Sequence, residues 1–519
     1  MDLKINHELI PLKEVIYDGI QEQSVELDYI LPDYFPDIFK LIKCETVPNV
    51  TSYSVSDDKV VYELCVDVNI LYCTQNSSQL NTIRQKLTYS KTLEFGRTGS
   101  GVYAVLKAKT DYVNCRVVNQ RRIDIRGAVT VKINATAEKN QEMICDLFGM
   151  NVQMKKKPVE YAPGRLTCGK LITVSEELEM NSVSHPVRNV IRSQAETGKT
   201  DIKVIANKLI AKGNADVSVL YTCDDSDNAV VDSLKFGIPF SQILDIDGID
   251  ETYKCSISTN VVSCDISPVA DKDGNMIKLQ CELGIWISCS AMRTAHAELV
   301  TDVYSTKFPC TFTKSKFKIS QVPEDVNAQL YAKNSIECNE GTIDKVFDMW
   351  CTPGNAAVRI DENEKAVFVN GIVHYCVLIR NETGMPAIIE KDGAFEQRID
   401  LPDIHSGSTF EAQVEIHGCS YNLSSSNTVQ ISADIDICGK LYRSSEIEAV
   451  TAVEINDEEM KPLDPCCDCA IKLYFGTEGE SVWDIAKKYS TSVKSVMEEN
   501  DLYEEKLTED KMLLIPIVI

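Results

Sequence analysis

The chain has 519 residues, an apolar content of 44% and a formal charge of −25. This length predicts about three to five domains, each large enough to bury a core. The acidic excess repels nucleic acid phosphates and anionic lipid headgroups, which argues against general DNA or RNA binding. It favours a partner with a basic patch, and a solvated surface without a specific target is the open alternative.

Neither the N-terminus nor the cysteines indicate export. Met1–His7 lacks a basic region followed by an apolar core, and no apolar window is long enough to span a membrane. Most of the 20 cysteines fall within apolar strand patterns, so we interpret them as reduced core residues in a reducing cytoplasm. Cys466–Cys469 is clustered but lacks the further ligands that a zinc site needs, and we predict no metal and no cofactor.

Three similar segments recur along the chain at a spacing of about 150 residues, which predicts tandem domains rather than a solenoid of short repeats. They are Leu64–Tyr72, Gly213–Tyr221 and Gly371–Ile379. Two further markers follow each segment in the same order. The markers are Gly127–Val131, Gly284–Ile287 and Ala433–Ile437, and then Glu142–Ile144, Glu298–Val300 and Glu448–Val450.

Within each repeat the apolar residues alternate with polar ones. Val66, Val68 and Ile70 share one face of a predicted half-buried strand. Asp271–Asn275 and Asn381–Gly384 have the composition of hairpin turns. A short helix is predicted before the main hairpins of each repeat, at Pro36–Ile42, Pro186–Ile191 and Thr342–Phe347.

The sequence therefore predicts a mainly β protein with small helices. Its predicted parts are three repeats (1–160, 161–312 and 313–455), a polar linker (456–469) and a compact β-α-α-β domain (470–519). In the last domain Ser481 and Asp484 form a variant capping box at the start of the first helix. A second helix is predicted to begin near Ser492.

This C-terminal stretch resembles a LysM domain. The resemblance rests on Tyr474, Gly479–Ala486, Tyr489, Val493, Val496, Asn500, Leu507 and Leu514–Pro516. It implies a shallow groove for N-acetylglucosamine polymers, lined here by Gly479, Glu480, Ser481 and Val482 and by Asp510 and Lys511. The loops depart from the family pattern at Glu480 and Ser481 and at Asp510 and Lys511, which leaves protein binding as the other role of this domain.

The first repeat resembles the SPOCS domain of endospore-forming Firmicutes through Leu31–Ile38 and the strand that ends at Tyr72. Three such repeats followed by LysM resemble the SipL-type family of clostridial spore coat morphogenetic proteins. The resemblance implies a scaffold in the mother-cell cytoplasm that links coat to forespore surface, with LysM binding the coat morphogenetic ATPase and with other coat proteins as partners.

We hypothesise that Trp483 forms the partner-binding surface with Ile471, Lys487 and Lys488, because tryptophan is a common interface anchor. A core tryptophan is the alternative. Burial of the neighbouring Val482 favours an outward Trp483.

No catalytic site is predicted, because the six histidines form no known catalytic motif and no phosphate loop occurs. His374 and Cys376 share a strand face, but without a third orienting group we interpret them as structural. The function classes left open are a cell-wall protein whose LysM binds peptidoglycan, a wall hydrolase, and a phage-tail protein.

Overall fold

The computed structural model describes residues 3–75, 79–179, 187–225, 228–270, 272, 276–339, 341–456, 458–461 and 470–517. Nearly all of its regular structure is β-strand, and two short helices lie near the C-terminus. This confirms the predicted mainly β class with small helices. In the part of the chain that is described, no helix is both long and apolar enough to cross a membrane.

The first unit is built from six strands that form two antiparallel three-stranded sheets, ordered β1-β6-β5 and β2-β3-β4. The strands are β1 (Lys4–Ile30), β2 (Lys40–Val55), β3 (Lys59–Cys73), β4 (Leu80–Glu94), β5 (Tyr103–Asn119) and β6 (Arg122–Phe148). The buried faces of the two sheets share one apolar core. As predicted, Val66, Val68 and Ile70 point into this core and are fully buried.

The second and third units repeat this order of strands. The second contains β7 (Val152–Tyr161), β8 (Arg165–Glu179), β9 (Val187–Thr197), β10 (Asp201–Ile205), β11 (Lys208–Asp225), β12 (Asn228–Asp245), β13 (Lys254–Val269), β14 (Lys278–Met292) and β15 (Ala295–Ser305). The third contains β16 (Cys310–Ser320), β17 (Glu324–Glu337), β18 (Ile343–Asp361), β19 (Ala366–Asn381), β20 (Pro386–Asp400), β21 (Thr409–Leu423), β22 (Thr428–Tyr442) and β23 (Ser444–Ile455). Each has one sheet ordered like β1-β6-β5 and one like β2-β3-β4.

Each unit also has a two-stranded ribbon, made from its first and last strands where they extend beyond the sheets. The ribbons are the outer ends of β1 and β6, then β7 with β15, then β16 with β23. One β-bulge recurs in all three, at Cys145, Thr301 and Thr451. Each bulged residue directly follows one of the Glu-containing sequence markers, so the markers occupy equivalent places in three similar folds.

Apolar clusters at two levels join the three units. One cluster packs the ribbons together and contains Ile10, Met143, Val159, Tyr161, Ala297, Leu299, Ile319, Ile447 and Ala449. The other joins the sandwiches and contains Leu80, Ile191, Leu220, Val231, Trp350, Cys376 and Leu378. Both draw residues from all three units, so the units pack against one another as well as following in sequence.

The three predicted short helices are wrong. Residues 36–39 form no helix, residues 40–42 begin β2, residues 187–191 begin β9, and residues 343–347 begin β18. Pro186 lies outside the described residues. Near the start of each of these strands, the pairing with the neighbouring strand shifts register at a β-bulge. The bulge brings apolar residues that are three positions apart in the sequence to the same face of the strand, which imitates helical spacing.

The turns along the chain refine the predicted organisation. Asn381–Gly384 joins β19 to β20 as predicted, with Gly384 at φ +81°. Of the predicted turn Asp271–Asn275, only Lys272 lies among the described residues. Residues 149–151 connect the last strand of the first unit to the first strand of the second, and residues 306–309 do the same for the second and third units. We propose that the units divide at these two turns rather than at the predicted boundaries 160/161 and 312/313.

Candidate functional site

The C-terminal module is a two-stranded sheet with two helices between its strands. Its elements are β24 (Ile471–Gly476), α1 (Val482–Lys488), α2 (Val493–Glu499) and β25 (Lys511–Pro516). Helical spacing predicts seven inward residues, of which Val482, Ile485, Ala486 and Val496 are buried, whereas Tyr489, Val493 and Met497 pack against the same core and are only partly buried. This is the β-α-α-β order that the sequence predicted.

The two helices begin differently. Ser492 accepts a hydrogen bond from the Ser495 amide at 3.0 Å and caps α2, which therefore starts where predicted. The predicted capping box of α1 is wrong, because the Ser481 side chain makes no capping hydrogen bond. Asp484 still places a carboxylate in the first turn, where the helix dipole favours negative charge.

Trp483 and Lys487 face the second ribbon of the same chain. The Trp483 indole nitrogen donates to Asp302 Oδ2 at 2.7 Å, and Lys487 Nζ lies 2.7 and 2.8 Å from the two carboxylate oxygens. Trp483 is only 6% exposed. Burial alone would raise the pKa of Asp302, but the hydrogen bonds from Lys487 and Trp483 outweigh it and lower that pKa below its usual value.

Two further residues hold the module on the ribbon. Tyr304 packs edge-on against Trp483 with ring centres 5.0 Å apart, and its hydroxyl donates to the Thr491 carbonyl at 2.7 Å. Lys461 Nζ donates to the Ser305 carbonyl at 2.8 Å and to the Ser490 hydroxyl at 3.0 Å. Tyr304 belongs to the apolar core of the module itself. The module is therefore packed on the body of the protein through its α1 side.

Ile471 and Lys488 lie apart from this contact. Ile471 begins β24 and starts a row of exposed apolar side chains with Leu473, which is 68% exposed, and Phe475, which is 57% exposed. Met512 on β25 pairs with Phe475 across the sheet and is also exposed. We call these four residues the hairpin stripe. Lys488 is exposed, and its ammonium lies 5.1 Å from the centre of the Tyr474 ring.

The predicted glycan-groove loops are bonded to each other. The Gly479 amide donates to the Leu507 carbonyl at 2.8 Å, and the Val482 amide donates to Glu505 at 2.9 Å. The Leu507 amide returns a bond to the Glu480 carbonyl at 3.0 Å, and Ser481 forms an isolated bridge with Lys506. These backbone groups are therefore already paired within the module.

Side chains in the predicted groove are also engaged. Glu480 accepts a hydrogen bond from the Tyr474 hydroxyl at 2.5 Å, which raises the pKa of Tyr474. Asp510 accepts from the Glu478 amide at 2.8 Å, and Lys511 Nζ donates to the Asn500 carbonyl at 3.0 Å. Val482 is fully buried and presents no side-chain surface.

A cleft of about 710 Å³ lies beside the module, between β7 and α2. Its walls include Met154, Lys155, Val493, Met497 and Tyr503. The loop 479–482 that the sequence assigned to glycan binding does not line this cleft.

The two groups considered for chemistry on β19 have different partners. His374 Nδ1 lies 2.5 Å from Asp392, whereas the Cys376 thiol donates to Glu390 at 3.0 Å. Burial raises the pKa of Cys376 to about 12, opposite to the activation that a nucleophilic thiol needs. Among the described residues, no group of three or more His, Cys, Asp or Glu side chains is placed to hold a metal ion. Cys466–Cys469 lies outside those residues.

Sequence reasoning did not identify Asp302, Tyr304 or the rest of the hairpin stripe. The stripe had a detectable signal in the sequence. Ile471, Leu473 and Phe475 are apolar at every second position of β24, and the residues between them lie on the opposite face, which packs inward. Asp302 and Tyr304 lie about 180 residues before α1, beyond the range of any local pattern.

Comparison with known families agrees with this architecture. The SipL SPOCS-domain family matches residues 37–118 and 186–269, and the LysM domain family matches residues 477–516. The two SPOCS matches run from the start of the bulged strands, β2 and β9, to β5 and β13, which are equivalent strands of the first and second units. No curated protein and no solved structure matches the chain. The chain therefore carries SPOCS domains of the SipL family and a C-terminal LysM domain, the composition of a SipL-type sporulation coat protein.

Proposed function

We propose that this chain is a non-enzymatic scaffold of the spore coat. In this proposal it acts in the mother-cell cytoplasm, where its LysM domain binds the coat morphogenetic ATPase on the forespore surface. The observation that carries the proposal is the hairpin stripe, an exposed apolar surface on the domain that the family resemblance implicates in partner binding.

The stripe has the character of a protein-binding surface. Large apolar side chains exposed side by side are uncommon on a soluble protein and mark interaction sites. Ile471, which the sequence assigned to partner binding, is the first member of the stripe, whereas Lys488 lies over Tyr474, on the other face of β24. Trp483 and Lys487 already bond Asp302, so a partner that used them would have to compete with this carboxylate.

The surrounding charge favours a basic partner surface. The LysM domain carries five acidic residues in the loops that connect its helices and strands, namely Glu478, Glu480, Glu504, Glu505 and Asp510. The whole chain has a charge of −25. An apolar patch on such an acidic chain would favour a partner whose apolar patch lies on a basic surface, since opposite potentials steer association.

The test uses the purified full-length chain and the ATPase in a binding titration. We expect Leu473→Glu to weaken binding by at least about tenfold, because a buried apolar contact becomes a buried charge. Leu171→Glu is the matched control, since Leu171 is also an exposed strand leucine but lies in the second SPOCS unit. Unchanged binding by folded Leu473→Glu would reject the stripe as the docking surface.

Asp302→Ala separates the two possible surfaces on LysM. If the partner uses Trp483 and Lys487, freeing them from Asp302 should increase affinity. If it uses the hairpin stripe, affinity should remain within about twofold, as we expect. Tight binding of soluble peptidoglycan fragments with no binding of the ATPase would instead favour the cell-wall reading.

A further inference from the structure

Four cationic side chains from all three units converge where the units meet. Lys13 Nζ of the first unit lies 5.0 Å from the ring centre of Tyr442 in the third. The Arg165 guanidinium of the second unit lies 4.2 Å from the ring centre of Tyr103 in the first. Lys107 of the first unit donates to Gln413 Oε1 of the third at 3.1 Å. The fourth cation, Lys440, is on β22.

The chain has 78 acidic residues, yet these four cations form no close ion pair with a carboxylate in the part of the chain that the structure describes. Among the described residues, no carboxylate oxygen lies within 4.0 Å of a charged nitrogen of Lys13, Lys107, Arg165 or Lys440. A fifth cation, Lys132, is the direct cross-strand neighbour of Lys107 on β6. Like charges in such facing positions destabilise a sheet.

The nearest carboxylates neutralise only part of this charge. Glu138 faces Lys13 across the strand pair, and Asp325 and Glu411 flank Lys440. Glu411 also accepts a hydrogen bond from the Tyr442 hydroxyl at 3.3 Å. Glu415 also acts on Lys107, so four carboxylates stand against these five cations and leave a small positive excess inside a strongly acidic chain.

The cations lower the pKa of neighbouring lysines and so disfavour their protonated form. Burial, and then the charge of Arg165, lowers the pKa of Lys13. Burial also lowers the pKa of Lys107 and of Lys440, and neighbouring cations add to both effects. An anion placed between these groups would reverse this penalty, because an opposite charge stabilises the protonated amine.

We propose that Lys13, Lys107, Arg165 and Lys440 form a binding site for a small multivalent anion of the oligophosphate or polycarboxylate class. A multivalent anion fits best because the surplus charge is spread over side chains from three units. A small anion fits because the units are packed together by apolar clusters through their ribbons and through their sandwiches. Such a ligand would link the three β units through charge.

The experiment measures binding of inorganic pyrophosphate and of citrate to the full-length chain by isothermal titration calorimetry at constant ionic strength. We expect at least one of them to bind with a stoichiometry of one and to raise the melting temperature. Binding of pyrophosphate alone assigns the site to oligophosphates, and binding of citrate alone assigns it to polycarboxylates. No saturable binding of either would overturn the proposal.

Variants locate the site. Lys440→Met and Lys107→Met should each weaken anion binding by at least about tenfold, because each removes one charge from the site. Lys333→Met is the matched control, since its ammonium also lies near a tyrosine ring, 5.2 Å from that of Tyr331, on a strand of the third unit. Without ligand, Lys107→Met should melt no lower than the parent chain, because it removes repulsion from Lys132. Equal anion affinity in all three folded variants would contradict the assignment.

Discussion

The Trp483 indole nitrogen donates a hydrogen bond to Asp302 at 2.7 Å and thereby connects the LysM domain to the ribbon of the second unit. Lys487, one turn further along α1, pairs with the same carboxylate. Asp302 directly follows the bulged residue Thr301. The same bulge recurs in all three ribbons, and in the second ribbon the residue after it is the carboxylate that contacts LysM. The equivalent residues after the other bulges are Asp146 and Ala452.

We expect Asp302→Ala to release the LysM domain from the ribbon. The change removes the carboxylate that accepts hydrogen bonds from both Trp483 and Lys487, and each bond to a charged group is worth about 1.5–3 kcal/mol. Small-angle scattering should show a larger radius of gyration, and amide hydrogen exchange should increase in peptides that cover α1. Glu498→Ala is the control, because Glu498 is exposed on α2 and pairs with Lys494 of the same helix. A scattering profile and an exchange pattern equal to the parent's would show that Asp302 does not hold the domain.

Docking of LysM should weaken in acid. The docked state lowers the pKa of Asp302, so its contribution is fully present above the ordinary pKa of an aspartate, near 4. It is lost as pH falls through the lowered, docked value, since the free carboxyl then binds a proton more readily. Scattering from pH 7 to pH 3 should therefore show expansion only at the acid end. The Asp302→Asn variant should lack this component, and an identical acid transition in that variant would assign the effect to other carboxyls.

The strands were predictable where alternation is regular and were missed where a bulge interrupts it. On β3, Val66, Val68 and Ile70 follow a strict period of two, and all are buried as predicted. On β18, register shifts after Ile343 and after Val346 bury two apolar residues spaced three apart. That spacing is the signature of a helix, and a single sequence does not separate it from a bulged strand.

The site shows the same limit. Local spacing correctly placed Val482, Ile485 and Ala486 in the LysM core, because these contacts form within one small domain. It favoured an outward Trp483 because its neighbour points inward, but a surface from 180 residues earlier covers the indole. A residue at the edge of a helical face can be buried by a second domain, and only the packing of the two domains reveals this.

Trp350 should be the residue whose loss most weakens the joint between the units. It is 3% exposed, the Arg192 guanidinium of the second unit stacks 4.2 Å from its ring centre, and its indole nitrogen donates to Glu45 of the first unit at 3.0 Å. Trp350→Ala should lower stability by about 3–5 kcal/mol, the usual cost of emptying a large aromatic site. The readout is the midpoint of urea unfolding, with Tyr112→Ala as an exposed aromatic control. A midpoint shift no larger than the control's would show that the three units do not depend on this contact.

Asn500 should be essential for the fold of LysM although it is polar. Its amide nitrogen donates to the carbonyls of Val496 and Leu514, each at 2.7 Å, and its oxygen accepts from the Leu514 amide at 2.6 Å. It thus joins the end of α2 to β25 through three hydrogen bonds in a buried place, where unpaired backbone groups are costly. Asn500→Asp keeps the size of the side chain but replaces the two donors with acceptors, so about 2–4 kcal/mol of stability should be lost. Hydrogen exchange in α2 and β25 should then accelerate while the SPOCS strands keep their protection. Glu499→Gln, at the exposed neighbouring position, should leave both regions unchanged, and normal protection of β25 in Asn500→Asp would show that the other contacts of the domain suffice.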